Sequence, residues 1–331
     1  MTTAVVILNW NGRELLSQFL PSVLQFSAEA RVYVADNAST DDSVAMLKKD
    51  FPQVKIIQNK TNGGFAKGYN DALSGLSEDI FILLNSDVEV TENWLSPIQE
   101  IFRQEPNTAV VQPKILDYKR KDYFEYAGAA GGYVDKYGYP FCRGRIFDTL
   151  EEDFGQYNDD AAIFWASGAC LAIRNEVFKE AGLLDEDFFA HQEEIDLCWR
   201  IHNLGYQVKF CANSRVFHVG GATLDSMNPR KTFFNFRNSL YTLLKNVPTP
   251  NVYYIIFARM ILDGVAGLKF LTEGKFSHFY AILQAHSAFY GNIRKINGKR
   301  KGLKKNKAYF LTKSIIWSYF CLNIKKFSKL K

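Results

Sequence analysis

Several absences narrow this sequence before any motif is considered. Its five cysteines, Cys142, Cys170, Cys198, Cys211 and Cys321, are odd in number and scattered, with no CxxC pair. That pattern leads us to expect a reduced, cytosolic protein. Met1-Thr2-Thr3 runs straight into a strand-like segment with no basic stretch ahead of it, so no signal peptide is expected. No Gly-x-Gly-x-x-Gly follows the first apolar run, where Asn9-Trp10-Asn11-Gly12 stands instead, and this counts against a nicotinamide enzyme. The apolar stretch from Val252 to Leu271 is broken by Arg259, Asp263 and Lys269, which favours an amphipathic helix over a membrane span. Acid is missing from the end of the chain: Glu273 is the last acidic residue, and 14 of the 40 Lys and Arg follow it, leaving 26 bases against all 35 acids before it. An acidic body with a wholly basic end implies an anionic partner surface, membrane or nucleic acid.

What is present is ample for a folded core. The 331 residues are 47% hydrophobic and 15% aromatic, enough for one large domain or a domain with an appendage, and general disorder is excluded. Ala4–Leu8 is an apolar run followed by helical spacing through Leu15, Leu16, Phe19, Leu20, Val23 and Leu24. The pattern repeats at Val32–Ala35 and at Val54–Gln58, each ending in polar residues before another helical segment. These alternating units predict a parallel sheet with right-handed crossovers.

The fourth strand is the one that organises the rest. The run Phe81–Leu84 stops at Asn85-Ser86-Asp87, so a buried strand delivers polar side chains at its carboxyl end, the edge where open α/β sheets bind ligands. Asn85 and Asp87 are spaced to share a hard cation, Mg²⁺ or Mn²⁺, although the same residues also make an ordinary turn. Asp36 ends the second strand, where an acidic side chain either accepts hydrogen bonds from a nucleoside or caps a helix. Asn62-Gly63-Gly64 follows the third strand and lets backbone approach a ligand, or forms a tight turn.

Taken together, Val6–Gly12, Val34–Ser39, Asn62–Ala66 and Leu84–Asp87 resemble the family 2 glycosyltransferases of the GT-A fold, most of all their bacterial rhamnosyltransferase-type members. The resemblance extends to about residue 246. It implies an α/β architecture, a Rossmann-like, mostly parallel sheet flanked by helices, with residues 1–246 as catalytic domain. Residues 1–112 would form its nucleotide-sugar half and 113–246 its acceptor half. It also implies inverting transfer of a sugar, rhamnose among the candidates, from a dTDP- or UDP-type donor. By the same resemblance, Asn9, Asn11 and Asp36 would hold the base and ribose, and Asn62 and Gly63 would border the nucleotide. Asn85-Ser86-Asp87 would stand for the family's metal motif; because Asn85 replaces its first carboxylate, Asp87 is the expected ligand.

Residues 113–164, rich in glycine and tyrosine, show no clear period. Farther on, Glu193 and Glu194 stand at the amino end of a helix marked by Ile195, Cys198, Trp199 and Leu204, where the helix dipole stabilises carboxylates. Spacing alone leaves helix capping and catalysis both open. By the resemblance, Glu194 stands in the Asp position of the family's Glu-Asp segment, so Glu194 is expected to act as general base, with Glu193 as the alternative. It also implies that His218 reaches the metal or diphosphate and that Arg237 faces a diphosphate.

After Val247-Pro248-Thr249-Pro250, residues 247–331 read as a helical, membrane-associating appendage, with eight bases in 294–307 and an aromatic run around Trp317. The expected protein is therefore a glycosyltransferase lying peripherally on the inner face of the cell membrane, acting on a lipid-linked or polysaccharide acceptor. A sugar-1-phosphate nucleotidyltransferase would need a glycine-rich, basic loop after the first strand, which is missing. A nucleic-acid-binding protein would have no use for Asp36, Asp87 and Glu194 around one edge.

Overall fold

The computed structural model describes residues 1–220, 228–300 and 308–330, so the basic run at 301–307 lies outside the described residues. Thr3–Asn9 (β1) leads through Arg13–Phe26 (α1) to Arg31–Asp36 (β2), then through Ser43–Asp50 (α2) to Lys55–Gln58 (β3). Gly64–Leu73 (α3) and Ile80–Asn85 (β4) complete the first half. β1 pairs in parallel with both β2 and β4, and β2 with β3. Helices cover both faces of this sheet, which is why β1 and β4 are almost continuous apolar runs rather than alternating ones. The register sets Asn9 opposite Asp36 and Leu8 opposite Asn85, so the polar ends of three strands meet on one edge.

Val88–Val90 (β5), Leu95–Gln104 (α4) and Thr108–Asp117 (β6) come next. A small antiparallel sheet is formed by Gly132–Val134 (β7), Pro140–Cys142 (β8), Arg145–Ile146 (β9) and Thr149–Leu150 (β10). The chain returns to the main sheet with Ala161–Ile163 (β11) and Cys170–Arg174 (β12), continues through Asn175–Glu180 (α5) and Glu193–Leu204 (α6), and ends this half with Gln207–His218 (β13).

The main sheet runs β11-β13-β6-β12-β4-β1-β2-β3, with β5 paired to β13. The expectation of a mostly parallel sheet is corrected here: β12 is antiparallel to β4 and β6, and β11 and β5 are antiparallel to β13, which makes the sheet mixed. The chain enters β12 from the ligand edge itself, through Ser167-Gly168-Ala169, and so must run back against its neighbours.

Pro229–Asn246 (α7), Asn251–Thr272 (α8) and Phe276–Lys299 (α9) close the fold. The expected boundary after residue 246 falls between α7 and α8, but the chain beyond it packs into the body. Tyr309 packs on Trp199 with ring centroids 4.8 Å apart, and Phe327 lies 5.2 Å from Tyr133. Ile315 is fully buried with Phe141 and Ile146, and its amide donates to Asp135 at 2.9 Å. Among the described residues no helix is long and apolar enough to cross a membrane.

Candidate active site

Asparagines tie the turns after β1, β2 and β3 into one piece. Asn9, fully buried, donates through Nδ2 to Asp36 Oδ1 and Ser39 Oγ, each at 3.2 Å, while Asn37 N donates to its carbonyl at 2.8 Å. Asn37 Nδ2 reaches Asn62 Oδ1 at 3.0 Å and Gly64 O at 3.1 Å, and Asn59 Nδ2 reaches Asn37 Oδ1 at 3.1 Å. Asn11, left-handed at φ 51°, accepts from the amides of Thr40 at 2.7 Å and Asp41 at 3.3 Å. Asn9, Asn11, Asp36 and Asn62 are thus joined at one sheet edge, and much of their hydrogen-bonding capacity is spent on one another. Asn9 Oδ1 keeps an unused acceptor. A Cβ at Gly12 would stand 2.5 Å from that oxygen, which explains glycine there.

Within the Asn62-Gly63-Gly64 turn, the tight contact with another part of the chain is at Gly64. Gly64 has φ +80°, and a Cβ on it would lie 2.4 Å from the carbonyl oxygen of Phe189. At Gly63, the residue that caps the start of α3, the nearest atoms a Cβ would meet are those of the flexible Lys67 side chain.

Asp87 and His218 come together because β5 folds back onto the end of β13, pairing Val88 with His218 and bonding Val219 N to Asp87 O at 3.1 Å. His218 Nε2 is 3.2 Å from Asp87 Oδ1, and its Nδ1 is 3.2 Å from Glu125 Oε2. All three side chains are buried. Burial alone would lower the imidazole pKa, but Glu125 and Asp87 outweigh it and push it to about 10. Asn85, half-buried at the end of β4, donates its backbone N–H to Ala169 O at 3.0 Å. Among the described residues no group of three or more His, Cys, Asp or Glu is arranged to hold a metal ion by itself.

Glu193 and Glu194 are presented by a strained loop. Phe189, His191 and Gln192 have φ of 65°, 69° and 74°, a region that side-chain-bearing residues seldom adopt. The strain is held by bonds from outside: Phe65 N donates to Phe189 O at 2.8 Å, and Asn238 Nδ2 faces the carbonyls of Phe188 at 3.0 Å and of Ala190 and His191 at 2.8 Å. Arg237 Nη2 donates to the carbonyls of Asp187 and Phe188, both at 3.0 Å, so its guanidinium is engaged with this loop. Since Phe189 rests on Gly64, the loop reaches the edge that carries Asn37 and Asn62.

Glu193 is 4% exposed and its Oε2 has no hydrogen-bond partner among the described residues, whereas Glu194 is half-buried. Burial, and then the charge of Glu194, hold Glu193 well above the ordinary carboxylate range; burial raises Glu194 as well. Asp196, one turn in, behaves oppositely. Burial opposes its charge, but Lys245 Nζ at 2.7 Å and Arg200 Nε at 2.9 Å keep it below the ordinary value. A cleft of about 520 Å³ lies beside Asp185–Asp187, with Asn70, Arg200, Lys245 and Lys299 in its walls; its lining includes neither Asp87 nor the glutamate pair.

Sequence reasoning missed Glu125, Asn37, Asn238 and Lys245. Glu125 sits in the tyrosine- and glycine-rich segment that has no period to read. Asn37 and Asn238 stand beside residues singled out, Asp36 and Arg237, and adjacency was the one available signal.

Comparison with known proteins gives the family and the fold. The family model described as "Glycosyl transferase family 2" matches residues 4–182. N-acetylglucosaminyl-diphospho-decaprenol L-rhamnosyltransferase of Mycobacterium tuberculosis is 24% identical over 233 residues, 65% of this chain and 75% of that protein. A low-salt glycan biosynthesis hexosyltransferase of Haloferax volcanii is 24% identical over 212 residues, 63% of this chain and 64% of that protein. Among solved structures, S. aureus TarS 1-349 in complex with UDP-GlcNAc superposes with TM-score 0.57 at 14% identity, covering 92% of this chain and 93% of that one. GalNAc-T7 with UDP, GalNAc and Mn²⁺ gives 0.53 at 20% identity, over 66% of this chain and 43% of that one. These matches set aside the nucleotidyltransferase and nucleic-acid readings: the chain belongs to glycosyl transferase family 2 and is a glycosyltransferase.

Proposed function

We propose that this enzyme transfers a sugar, with inversion, from a nucleoside diphosphate of the UDP or dTDP type to a lipid-linked or polysaccharide acceptor at the inner face of the membrane. Rhamnose is the sugar favoured by the name of the mycobacterial relative, whose acceptor is also lipid-linked. The observation that carries the reading is the meeting, along one sheet edge, of the asparagine-linked turns, the Asp87–His218 pair and the loop bearing Glu193 and Glu194. In this scheme Glu194 takes the acceptor hydroxyl proton while that oxygen attacks the sugar carbon opposite the diphosphate. The glycosidic bond forms as the bond to the diphosphate breaks, and the leaving group keeps the electron pair.

Asp87 and His218 fit a divalent ion, Mg²⁺ or Mn²⁺, of the kind completed by substrate phosphates. Glu125 on His218 Nδ1 is the carboxylate that commonly orients a ligating imidazole. When bound, such an ion neutralises charge on the leaving diphosphate. Asn9, Asn11, Asp36, Asn62 and Gly63 would border the nucleotide, with Asn85 beside the diphosphate. Arg237 would act through the loop it holds.

A panel of UDP-, dTDP- and GDP-sugars, each with Mn²⁺ or Mg²⁺, tests this by thermal stabilisation. A ligand at 100 times its Kd adds about 2.7 kcal/mol to stability by mass action. Stabilisation by one nucleotide class, followed by sugar transfer to a lipid-linked acceptor, is the expected result. No stabilisation by any of them would sink the reading.

A further inference from the structure

Helix α8 is arranged inside out. Its charged pair faces the protein: Arg259 and Asp263, 5% and 0% exposed, meet at 2.9 Å, and His286 Nε2 lies 3.1 Å from the same aspartate. Its outward face carries Tyr253, Tyr254, Phe257, Ile261, Val265 and Leu268, each more than half exposed. Steps of three and four residues put these side chains on one side of the helix for about 20 Å, at a rise of about 1.5 Å per residue. No charged residue between Tyr253 and Leu268 is exposed. A helix on the surface of a water-soluble body normally turns the opposite way. The chain then reverses at Gly274, φ +71°, and α9 packs beside α8 with Phe276, Tyr280 and Leu283 exposed. Farther along α9, Arg294, Lys295 and Lys299 follow.

We infer that the α8–α9 hairpin is a docking surface for an anionic lipid bilayer, lying in its interface rather than crossing it. This names the membrane partner of the enzyme just proposed and rests on that reading only for the idea of a lipid-linked acceptor. The face is far larger than the isolated apolar residues of an ordinary surface, and such patches are interaction sites. Tyrosines at 253, 254 and 280 suit the headgroup level, where an amphipathic ring has one apolar and one wet side. Charge selects lipid over a second copy of the chain. The sequence after Glu273 carries 14 Lys and Arg and no acid, so this segment is attracted to an anionic surface and repelled by a second copy of itself. The basic part of α9 also reaches the site: Lys295 and Lys299 pair with Asp187 at 2.6 and 2.7 Å, and Asp187 lies just before the strained loop.

The test uses the full-length protein with vesicles of phosphatidylcholine alone or with added phosphatidylglycerol, and a Phe257→Glu/Ile261→Glu double variant. Both positions are exposed, so melting temperature and donor-nucleotide binding should match the wild type. The wild type should sediment with the anionic vesicles, more weakly as salt rises, and the double variant's partition should fall by about 100-fold, two buried side chains at roughly tenfold each. Unchanged sedimentation of the double variant would overturn the inference, as would equal wild-type binding to neutral vesicles. So would a wild-type dimer that the double variant converts to monomer while neither form binds vesicles. Donor binding is read separately: its absence in the wild type would defeat the proposed transfer and leave the vesicle result standing.

Discussion

Two buried carboxylate clusters sit at the same edge of this sheet and solve burial differently. Without a metal ion, Asp87 and Glu125 are compensated from within, because His218 stands 3.2 Å from each and the two carboxylates outweigh burial and push its pKa up to about 10; a divalent ion on His218 Nε2 would take that proton's place. At Glu193 and Glu194 burial is left uncompensated, the two repel each other, and both are held above the ordinary carboxylate range. Asp196, in the same helix, shows that compensation was available, since Lys245 and Arg200 keep it ionised. The difference supports the roles proposed for the two clusters. A group that keeps a fixed charge needs a partner, whereas a group that must accept a proton near neutral pH works best without one.

Removing the proton acceptor gives the largest expected effect. Glu194→Gln should lower turnover by about 10² to 10⁴, the range for general-base catalysis, while donor binding is kept. If Glu193→Gln is the inactive variant and Glu194→Gln is active, the roles within the pair are exchanged. In the wild type, because burial raises both groups, the acid limb of the kcat profile should lie above the ordinary glutamate value of about 4.3. A limb at that value would show that the acting base is not raised.

Breaking the compensated cluster comes next. His218→Ala leaves Asp87 and Glu125 buried without their cation and should cost about 3–5 kcal/mol of unfolding free energy near neutral pH, measured by urea denaturation. A loss below about 1 kcal/mol would show that the carboxylates readily take up protons or water. Asn238→Ala removes the donor facing three loop carbonyls and should cost about 1–3 kcal/mol. It should lower kcat more than it raises the donor KM, since the loop presents the glutamates rather than the nucleotide. Equal stability and equal kcat would show that the strained loop holds itself.

The smallest effect is a gain. A carboxyl whose folded pKa is raised contributes stability that is complete below its unfolded value and is lost as pH rises through the folded one. Glu193→Gln cannot ionise, so its melting temperature should exceed that of the wild type slightly at pH 8 and match it near pH 4. The reverse order would mean that Glu193 is compensated after all.

Much of this fold was legible because buried parallel strands are continuous apolar runs, and β1 to β4 each stop where a polar turn begins. The direction of β12 was not, since Cys170–Arg174 has the same apolar character whichever way it runs. Asp87 and His218 are far apart in the chain, and only the family resemblance joined them before the backbone did. Glu125 lacks any periodic context, so its place behind His218 depends on folding of the irregular middle segment. The demand for glycine at position 64 rather than 63 is a matter of φ and of Phe189, neither of which is visible locally. Amphipathicity of α8 could be read, but not which side faces the protein, because a moment has magnitude without naming its partner. Arg237 was legible as a cation near the site; its engagement with loop carbonyls was not.

The division of labour between the two clusters is tested most directly by calorimetric titration of the stabilising nucleotide sugar with Mn²⁺ into Asp87→Ala and Glu194→Gln, beside the wild type. Glu194→Gln should bind the donor with wild-type affinity, and Asp87→Ala should lose it by at least about tenfold, a difference of about 1.4 kcal/mol. Donor binding retained by Asp87→Ala and lost by Glu194→Gln would contradict that division.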